Sequence, residues 1–209
     1  MSFSLNETAA LAKRATRGAG YPWGLAEEAG WSVRWLCTHR QDGTAALARL
    51  LQLELGRDLD QHKPDRNGSI WKGQRRLCPL ATGAALSDFA ACLKSERFEI
   101  HAVAEPLLIL PFAAAAARRI GMSVRVQSET VSAVVDGRGL ALNGVFEALT
   151  PRLHVAAEKI SINPGKTRSR ARPAQADWDM LNRFTDRTYA PATETSRRLG
   201  AGAGQTDND

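Results

Sequence analysis

The sequence predicts an α+β protein: N-terminal helices followed by a small, mostly antiparallel sheet, a C-terminal helix and an extended tail. Apolar residues recur every three or four positions up to about residue 56, which is the periodicity of helices that bury one side. Beyond about residue 97 the spacing changes to alternate positions, as in half-buried strands. Because helices come first and strands follow, the order favours the α+β class over alternating parallel units.

The composition is that of a globular chain. Of its 209 residues, 44% are hydrophobic, which is enough for a well-buried core. We expect a single domain over residues 1–209, with a helical part at about 4–56, a mixed part at about 69–163, and the C-terminal helix and tail at about 174–209. Three widely spaced cysteines without a Cys-x-x-Cys pair favour free thiols, a cytoplasmic location and no zinc site.

Membrane insertion and secretion are both disfavoured. The longest apolar run, residues 107–117, is too short to cross a bilayer. The first residues lack the basic and apolar regions of a signal peptide. No sequence motif indicates a cofactor.

End signals define several helices. Ser4 and Glu7 form a capping box, and Gly18 and Gly56 are suited to end the first and third helices. The alanine-rich helix that begins at about residue 111 is expected to end at Gly121. The polar residues 57–68 predict an exposed connection. The helices are predicted at about residues 5–17, 22–38, 42–56, 79–95, 111–121 and 174–189. The strands are predicted at about residues 69–77, 98–104, 122–128, 132–142 (two strands around a glycine turn) and 152–162.

Four cations at alternate positions form a basic strip, residues 166–172, in a chain of net charge +6. They are Lys166, Arg168, Arg170 and Arg172. In an extended strand they would share one face, where arginine forks bind oxyanions bidentately. The strip is interpreted as a solvated edge strand, or as a site for a small anionic ligand or a partner's carboxylate. Nucleic acid is disfavoured because no aromatic residue lies between Phe146 and Trp178.

A polar segment behind the last helix suggests a binding or catalytic loop. It contains Tyr189, Glu194, Ser196 and Arg197. Ser196 would need a base to act as a nucleophile. The four histidines are remote from it in sequence, and the two on predicted strands, His101 and His154, are more typical of structural or surface positions.

The first functional hypothesis is therefore a cytoplasmic enzyme, or enzyme subunit, that acts on a small anionic metabolite. Arg17 or Arg197 would hold the substrate anion. A carboxylate from Glu27, Glu28 or Glu194 would move a proton.

The chain finishes with GAGAGQTDND, residues 200–209. A phosphate-binding loop is disfavoured, because such a loop needs a strand before its glycines and a helix after them. Gly202 and Gly204 are instead thin enough to lie in a groove beside a ligand. Asp207 and Asp209 are weak candidates for metal ligands. The alternatives are a solvated tail and an acidic clasp over the basic strip.

Tryptophans at helical spacing form a stripe in the second predicted helix. Trp23, Glu27 and Trp31 share one face, and Trp35 continues the line. The stripe fits a cationic or aromatic ligand pocket, core packing, or a subunit contact. The second hypothesis is accordingly a non-catalytic interaction protein that forms homo-oligomers, or joins a partner subunit, through this stripe and the tail.

Two stretches carry a resemblance to a known family: RGAGYPWGLAEEAG, residues 17–30, and RTYAPATETSRRLGAGAGQTDND, residues 187–209. With the chain length, they resemble a bacterial family of about two hundred residues, found mainly in proteobacteria and described as a domain of unknown function. The resemblance implies no activity or cofactor. It implies that the polar segment and tail are a shared feature, including Tyr189, Pro191, Glu194, Ser196, Arg197 and the terminal Gly and Asp residues.

Overall fold

A computed structural model describes residues 2–163 and 165–188, and it confirms the α+β class. The α-helices in these residues are α1 (Leu5–Gly18), α2 (Trp23–Thr38), α3 (Gly43–Gln52), α4 (Pro79–Asp88), α5 (Leu110–Ile120) and α6 (Gln175–Asp186). The strands are β1 (Phe3–Ser4), β2 (Ile70–Trp71), β3 (Phe98–Ala104), β4 (Ser123–Gln127), β5 (Ser132–Val135), β6 (Leu140–Asn143), β7 (Leu149–Glu158) and β8 (Arg170–Ala171). Short 3-10 helices occupy Leu55–His62, Ala90–Lys94 and Pro106–Ile109.

Six strands form one sheet in the order β2-β3-β7-β4-β5-β6. All its pairings are antiparallel except that of β2 with β3, so the predicted antiparallel character is confirmed. Alternation along the strands buries one face, where Ile100 pairs with Leu153 and both are inaccessible to solvent. Helix α5 covers this face at β4 and β5, and α4 packs on α5. The other face carries polar residues such as His101 and His154, which are partly exposed.

A second, two-stranded sheet joins the beginning of the chain to the basic strip. Its strands β1 and β8 run antiparallel, with Phe3 opposite Ala171. The Phe3 ring also stacks on Trp178 of α6, with ring centroids 3.6 Å apart. Helix α6 packs along α1, which in turn packs on α2. The basic strip is therefore fixed to the helical part through β1 and α6.

Local end signals predicted some helix ends correctly. Ser4 and Glu7 form the capping box of α1, and Gly121 ends α5 in the left-handed conformation at φ +68°. The expectation that Gly18 supplies a left-handed end was wrong, because α1 includes Gly18 and the next residue has φ −84°. A Cβ at Gly18 would lie 1.8 Å from the Phe184 carbonyl oxygen. Gly18 is therefore required by the close approach of α6.

The third helix and the connection after it also differ from the prediction. Helix α3 ends at Gln52, and Gly56 instead packs beneath Tyr21, whose ring would lie 2.6 Å from an added Cβ. Within the predicted exposed connection, the 3-10 turn directs Leu59 and His62 inward, to 8% and 4% exposure. The apolar side of this turn makes it part of the core, which its polar composition concealed.

Other boundaries shift by smaller amounts. The helix predicted at 79–95 ends at Asp88 and continues as a 3-10 turn. The strand predicted at 69–77 shortens to Ile70–Trp71, and that predicted at 152–162 lies at Leu149–Glu158. Of the basic strip, only Arg170 lies in a strand, because β8 is two residues long.

Candidate functional site

The arginines of the basic strip meet a fourth arginine in one groove of about 380 Å³. We call it the arginine groove, and its lining consists of Ser2, Arg40, Thr167, Arg168, Ser169, Arg170 and Arg172. None of these lining residues is acidic. Of the four cations predicted to share a face, the three arginines line this groove and Lys166 does not. Arg40, which follows α2, was not predicted to join them.

Backbone contacts place these side chains around the groove. Arg40 follows α2 in the left-handed region, at φ +64°, which turns the chain sharply beyond the helix. The Arg168 amide donates to the Thr38 carbonyl over 2.8 Å and so attaches the strip to the same helix end. The Arg170 guanidinium donates from Nε to the Ser2 hydroxyl at 2.8 Å and from Nη2 to the Ser2 carbonyl at 2.9 Å.

A smaller space of about 70 Å³ adjoins the arginine groove and shares Arg40, Arg168 and Arg172 with it. Asp42 lines this space, and its Oδ1 accepts from the Ala45 amide at 3.0 Å as the cap of α3. Cys37 lines it too, but burial raises the pKa of the Cys37 thiol to about 11. At neutral pH Cys37 is therefore a thiol and not an activated nucleophile.

Arg17, a predicted anion-binding residue, lies at the surface of α1 and does not line the arginine groove. Its Nη1 donates to the Tyr21 carbonyl at 2.6 Å, and its guanidinium lies 4.8 Å from the Trp23 ring centroid. Trp23 is 63% exposed. Arg17 therefore supports the start of α2 and the exposed face of Trp23.

The two predicted carboxylates on α2 also lie away from the arginine groove. Glu27 accepts from Lys13 Nζ at 2.7 Å. Partial burial, followed by the charges of Asp88 and Glu27, raises the pKa of Glu28 above the ordinary glutamate value. Glu28 therefore lies near the end of α4, and it does not line the arginine groove.

The tryptophan stripe is divided between burial and exposure. The Trp31 ring packs edge-on against Phe112 at 6.1 Å, and the Trp35 ring lies 4.0 Å from the His39 ring. These two serve as packing residues. Trp23 alone among the three is largely exposed.

On the open face of the large sheet, Glu99 connects two basic side chains. Its Oε1 is 2.6 Å from His101 Nε2 and 3.2 Å from Arg152 Nε. The hydrogen bond from His101 and the charge of Arg152 lower the pKa of Glu99. His154 pairs directly opposite Glu99 across the strands. Both strand histidines thus lie on a solvated sheet face.

A second groove, of about 390 Å³, lies between the start of α2, the 3-10 turn at Leu55–His62 and α4. We call it the apolar groove. Its lining is Pro22, Leu25, Leu59, Lys63, Pro64, Arg66, Ala81, Ala84, Ala85 and Asp88. The sequence did not reveal this groove, because four of its ten lining residues fall in the segment predicted to be an exposed connection. The apolar Leu59 within that polar run was the available signal.

Metal binding and membrane insertion find no support in the described part of the chain. Within residues 2–163 and 165–188, His, Cys, Asp and Glu side chains do not gather in groups of three or more that could hold a metal ion. None of the helices in those residues is long and apolar enough to cross a membrane. The candidates in the polar segment and tail lie outside the described residues: Tyr189, Glu194, Ser196, Arg197, Gly202, Gly204, Asp207 and Asp209.

A family model matches the N-terminal part of the chain. Residues 3–92 match the family model described as a protein of unknown function (DUF3726). The match includes the RGAGYPWGLAEEAG stretch and all the lining residues of the apolar groove, and it ends before β3. Of the residues that line the arginine groove, the match includes Arg40 but neither Ser2 nor residues 167–172. Comparison with the curated proteins and with the solved structures gives no match.

Proposed function

We propose that this protein binds a small anionic metabolite in the arginine groove, as an enzyme, an enzyme subunit or a binding protein. The observation that carries the proposal is the convergence of four arginines on one groove without an acidic residue in its lining. Guanidinium groups stay protonated at physiological pH, so four of them in one groove repel one another. A bound anion relieves that repulsion.

Arginine also selects the chemical class of the ligand. Its fork binds carboxylate and phosphate oxygens bidentately, and hydrogen bonds to charged groups contribute about 1.5–3 kcal/mol each. The hydroxyls of Ser2, Thr167 and Ser169 add neutral donors in the same lining. A small dicarboxylate or phosphorylated metabolite fits this combination of charges and hydroxyls.

The groove supports a small ligand better than a nucleic acid. Its cations surround about 380 Å³ instead of spreading along a surface, and its lining contains no aromatic side chain on which a base could stack. Arginine does not transfer protons at neutral pH. For proton transfer, Glu194 remains the candidate from the sequence, and Ser196 remains the candidate nucleophile.

Isothermal titration calorimetry on the full chain tests the proposal with succinate, citrate and inorganic phosphate as probes. We expect at least one of them to bind saturably, more weakly at high salt. The double substitution Arg40→Gln with Arg168→Gln should weaken that binding at least tenfold. Arg14→Gln with Arg34→Gln removes the same charge from exposed helix positions and is the matched control.

Equal binding by the two double variants would contradict the proposal, as would the absence of binding by all three probes. A salt titration with single- and double-stranded nucleic acid provides the third comparison. If the chain binds nucleic acid with a steep salt dependence and does not bind the small anions, the groove is a nucleic-acid site instead.

A subunit contact is the second candidate function, and Trp23 is the observation that favours it. This ring is 63% exposed, with Lys13 Nζ at 5.7 Å and the Arg17 guanidinium at 4.8 Å from its centroid. The two cations hold the ring in place, and its exposed surface stays free to pack against a neighbouring subunit. Light scattering should report an oligomer for the full chain and a smaller species for Trp23→Ala. A monomer in both samples would remove this candidate.

A further inference from the structure

The apolar groove has the size and lining of a small-molecule site. Its volume of about 390 Å³ lies in the range of ligand pockets, roughly 300–1,000 Å³. Ala81, Ala84 and Ala85 share one face of α4 at helical spacing, so small side chains leave the space that larger ones would fill. Leu25 and Leu59 complete an apolar floor.

Charged residues of both signs line the same groove. Lys63 and Arg66 are its cations, and Asp88 is its carboxylate. The Arg66 guanidinium lies 5.2 Å from the centroid of the Phe89 ring, next in the chain to Asp88. The groove therefore presents a cation and a carboxylate near one another at the edge of an apolar floor.

Among the residues that the structure describes, neither the cations nor the carboxylate of the groove have strong partners. Asp88 is the last residue of α4, where the negative end of the helix dipole repels a carboxylate. It also contributes to the raised pKa of Glu28 on α2, so a second acidic group faces it. Lys63 pairs with Asp60 at 2.6 Å, but both side chains are more than half exposed, so solvent screens the pair and leaves it weak. A ligand with both an ammonium and a carboxylate would give Asp88 a positively charged partner and the two cations a negatively charged one.

We propose that the apolar groove binds a free α-amino acid with a large apolar side chain. Arg66 and Lys63 hold the α-carboxylate, and Asp88 accepts hydrogen bonds from the α-ammonium. The side chain lies on the apolar floor. A fatty acid would complement the two cations of the groove but would leave Asp88 without a positively charged partner. An alkylamine would complement Asp88 but would leave Lys63 and Arg66 without a negatively charged partner.

This inference is independent of the proposed function, because the two grooves share no residue. Anion binding by the arginine groove could fail while amino-acid binding holds, and the reverse is equally possible. Each groove therefore has its own probes and variants.

The test is calorimetric titration of the full chain with L-leucine and L-phenylalanine. Two analogues of leucine isolate its charges: 4-methylpentanoate lacks the amine, and 3-methylbutylamine lacks the carboxylate. We expect saturable binding of an amino acid and at least tenfold weaker binding of both analogues. Binding of either analogue as tightly as leucine would overturn the proposal, as would no binding of either amino acid.

The substitution Asp88→Asn should weaken amino-acid binding at least tenfold and leave 4-methylpentanoate no weaker than before. Asp186→Asn is the matched control, because Asp186 is likewise the exposed last residue of a helix and lines neither groove. It should bind the amino acid as the unsubstituted chain does. Equal losses in the two variants would overturn the role of Asp88, and unchanged binding by Asp88→Asn would do the same.

Discussion

Replacing Gly83 with alanine should lower the free energy of unfolding by about 2 kcal/mol or more, as overpacking of a filled core does. Gly83 lies in α4 where that helix meets α5, and an added Cβ would be 2.2 Å from Phe112 Cδ2 and 2.5 Å from Cγ. Phe112 is 1% exposed and its ring packs edge-on against Trp31, so turning the ring would displace neighbouring side chains. Either the two helices separate or the ring leaves its rotamer, and both lose packing. Urea unfolding followed by circular dichroism measures the change.

Gly24→Ala is the control for this prediction. Gly24 lies in the first turn of α2, and nothing lies within 4 Å of an added Cβ there. The substitution should be neutral or stabilising by up to about 1 kcal/mol, because alanine restricts the unfolded chain more than glycine does. Phe112→Leu should also reduce the cost of Gly83→Ala, since the two side chains share one space. Equal stability of the Gly83→Ala and Gly24→Ala variants would contradict the packing argument.

The contrast between these glycines shows which parts of the fold a sequence can predict. The capping box at Ser4 and Glu7 and the left-handed end at Gly121 use groups within a few residues of one another, so the sequence contains the whole signal. Gly18 and Gly83 are needed because α6 and Phe112 approach from distant parts of the chain. The neighbouring sequence does not show whether such a glycine is needed for a close contact, for a helix end or for flexibility.

The candidate sites follow the same division. Alternate spacing in the basic strip predicted an extended strand with its cations on one face, whereas the strand in the structure is limited to Arg170 and Ala171. Arg40 joins them because the left-handed turn after α2 and the contact between Arg168 and Thr38 bring two distant segments together. The apolar groove depends even more on tertiary structure, since its walls come from three segments. Its most informative residue, Leu59, is apolar within a polar run, and such a residue marks an inward-facing position.

Replacing Arg49 with methionine should lower the free energy of unfolding by about 3 kcal/mol, toward the lower end of the cost of breaking a buried ion pair. Arg49 on α3 donates from Nε and Nη2 to the two carboxylate oxygens of Glu105, each over 2.8 Å. The Glu105 side chain is 4% exposed, whereas that of Arg49 is 52% exposed. Methionine keeps most of the apolar stem and removes both donors, which leaves a buried carboxylate without its partner.

Glu105 contacts several elements at once, and this is why the loss of stability should be large. It follows β3 in the left-handed region at φ +41°, its amide donates to the Ala148 carbonyl at 2.8 Å, and its own carbonyl accepts from Leu108. The ion pair thus joins α3 to the ends of β3 and β7. In a double-mutant cycle, Glu105→Gln should recover part of the stability that Arg49→Met loses, because a neutral amide costs less to bury than an unpaired carboxylate. Arg34→Met, at an exposed position of α2, is the control and should change stability by about 0.5 kcal/mol or less. If Arg49→Met costs no more than Arg34→Met, solvent already screens the pair, and packing without the ion pair holds α3 against the 3-10 helix that follows Glu105.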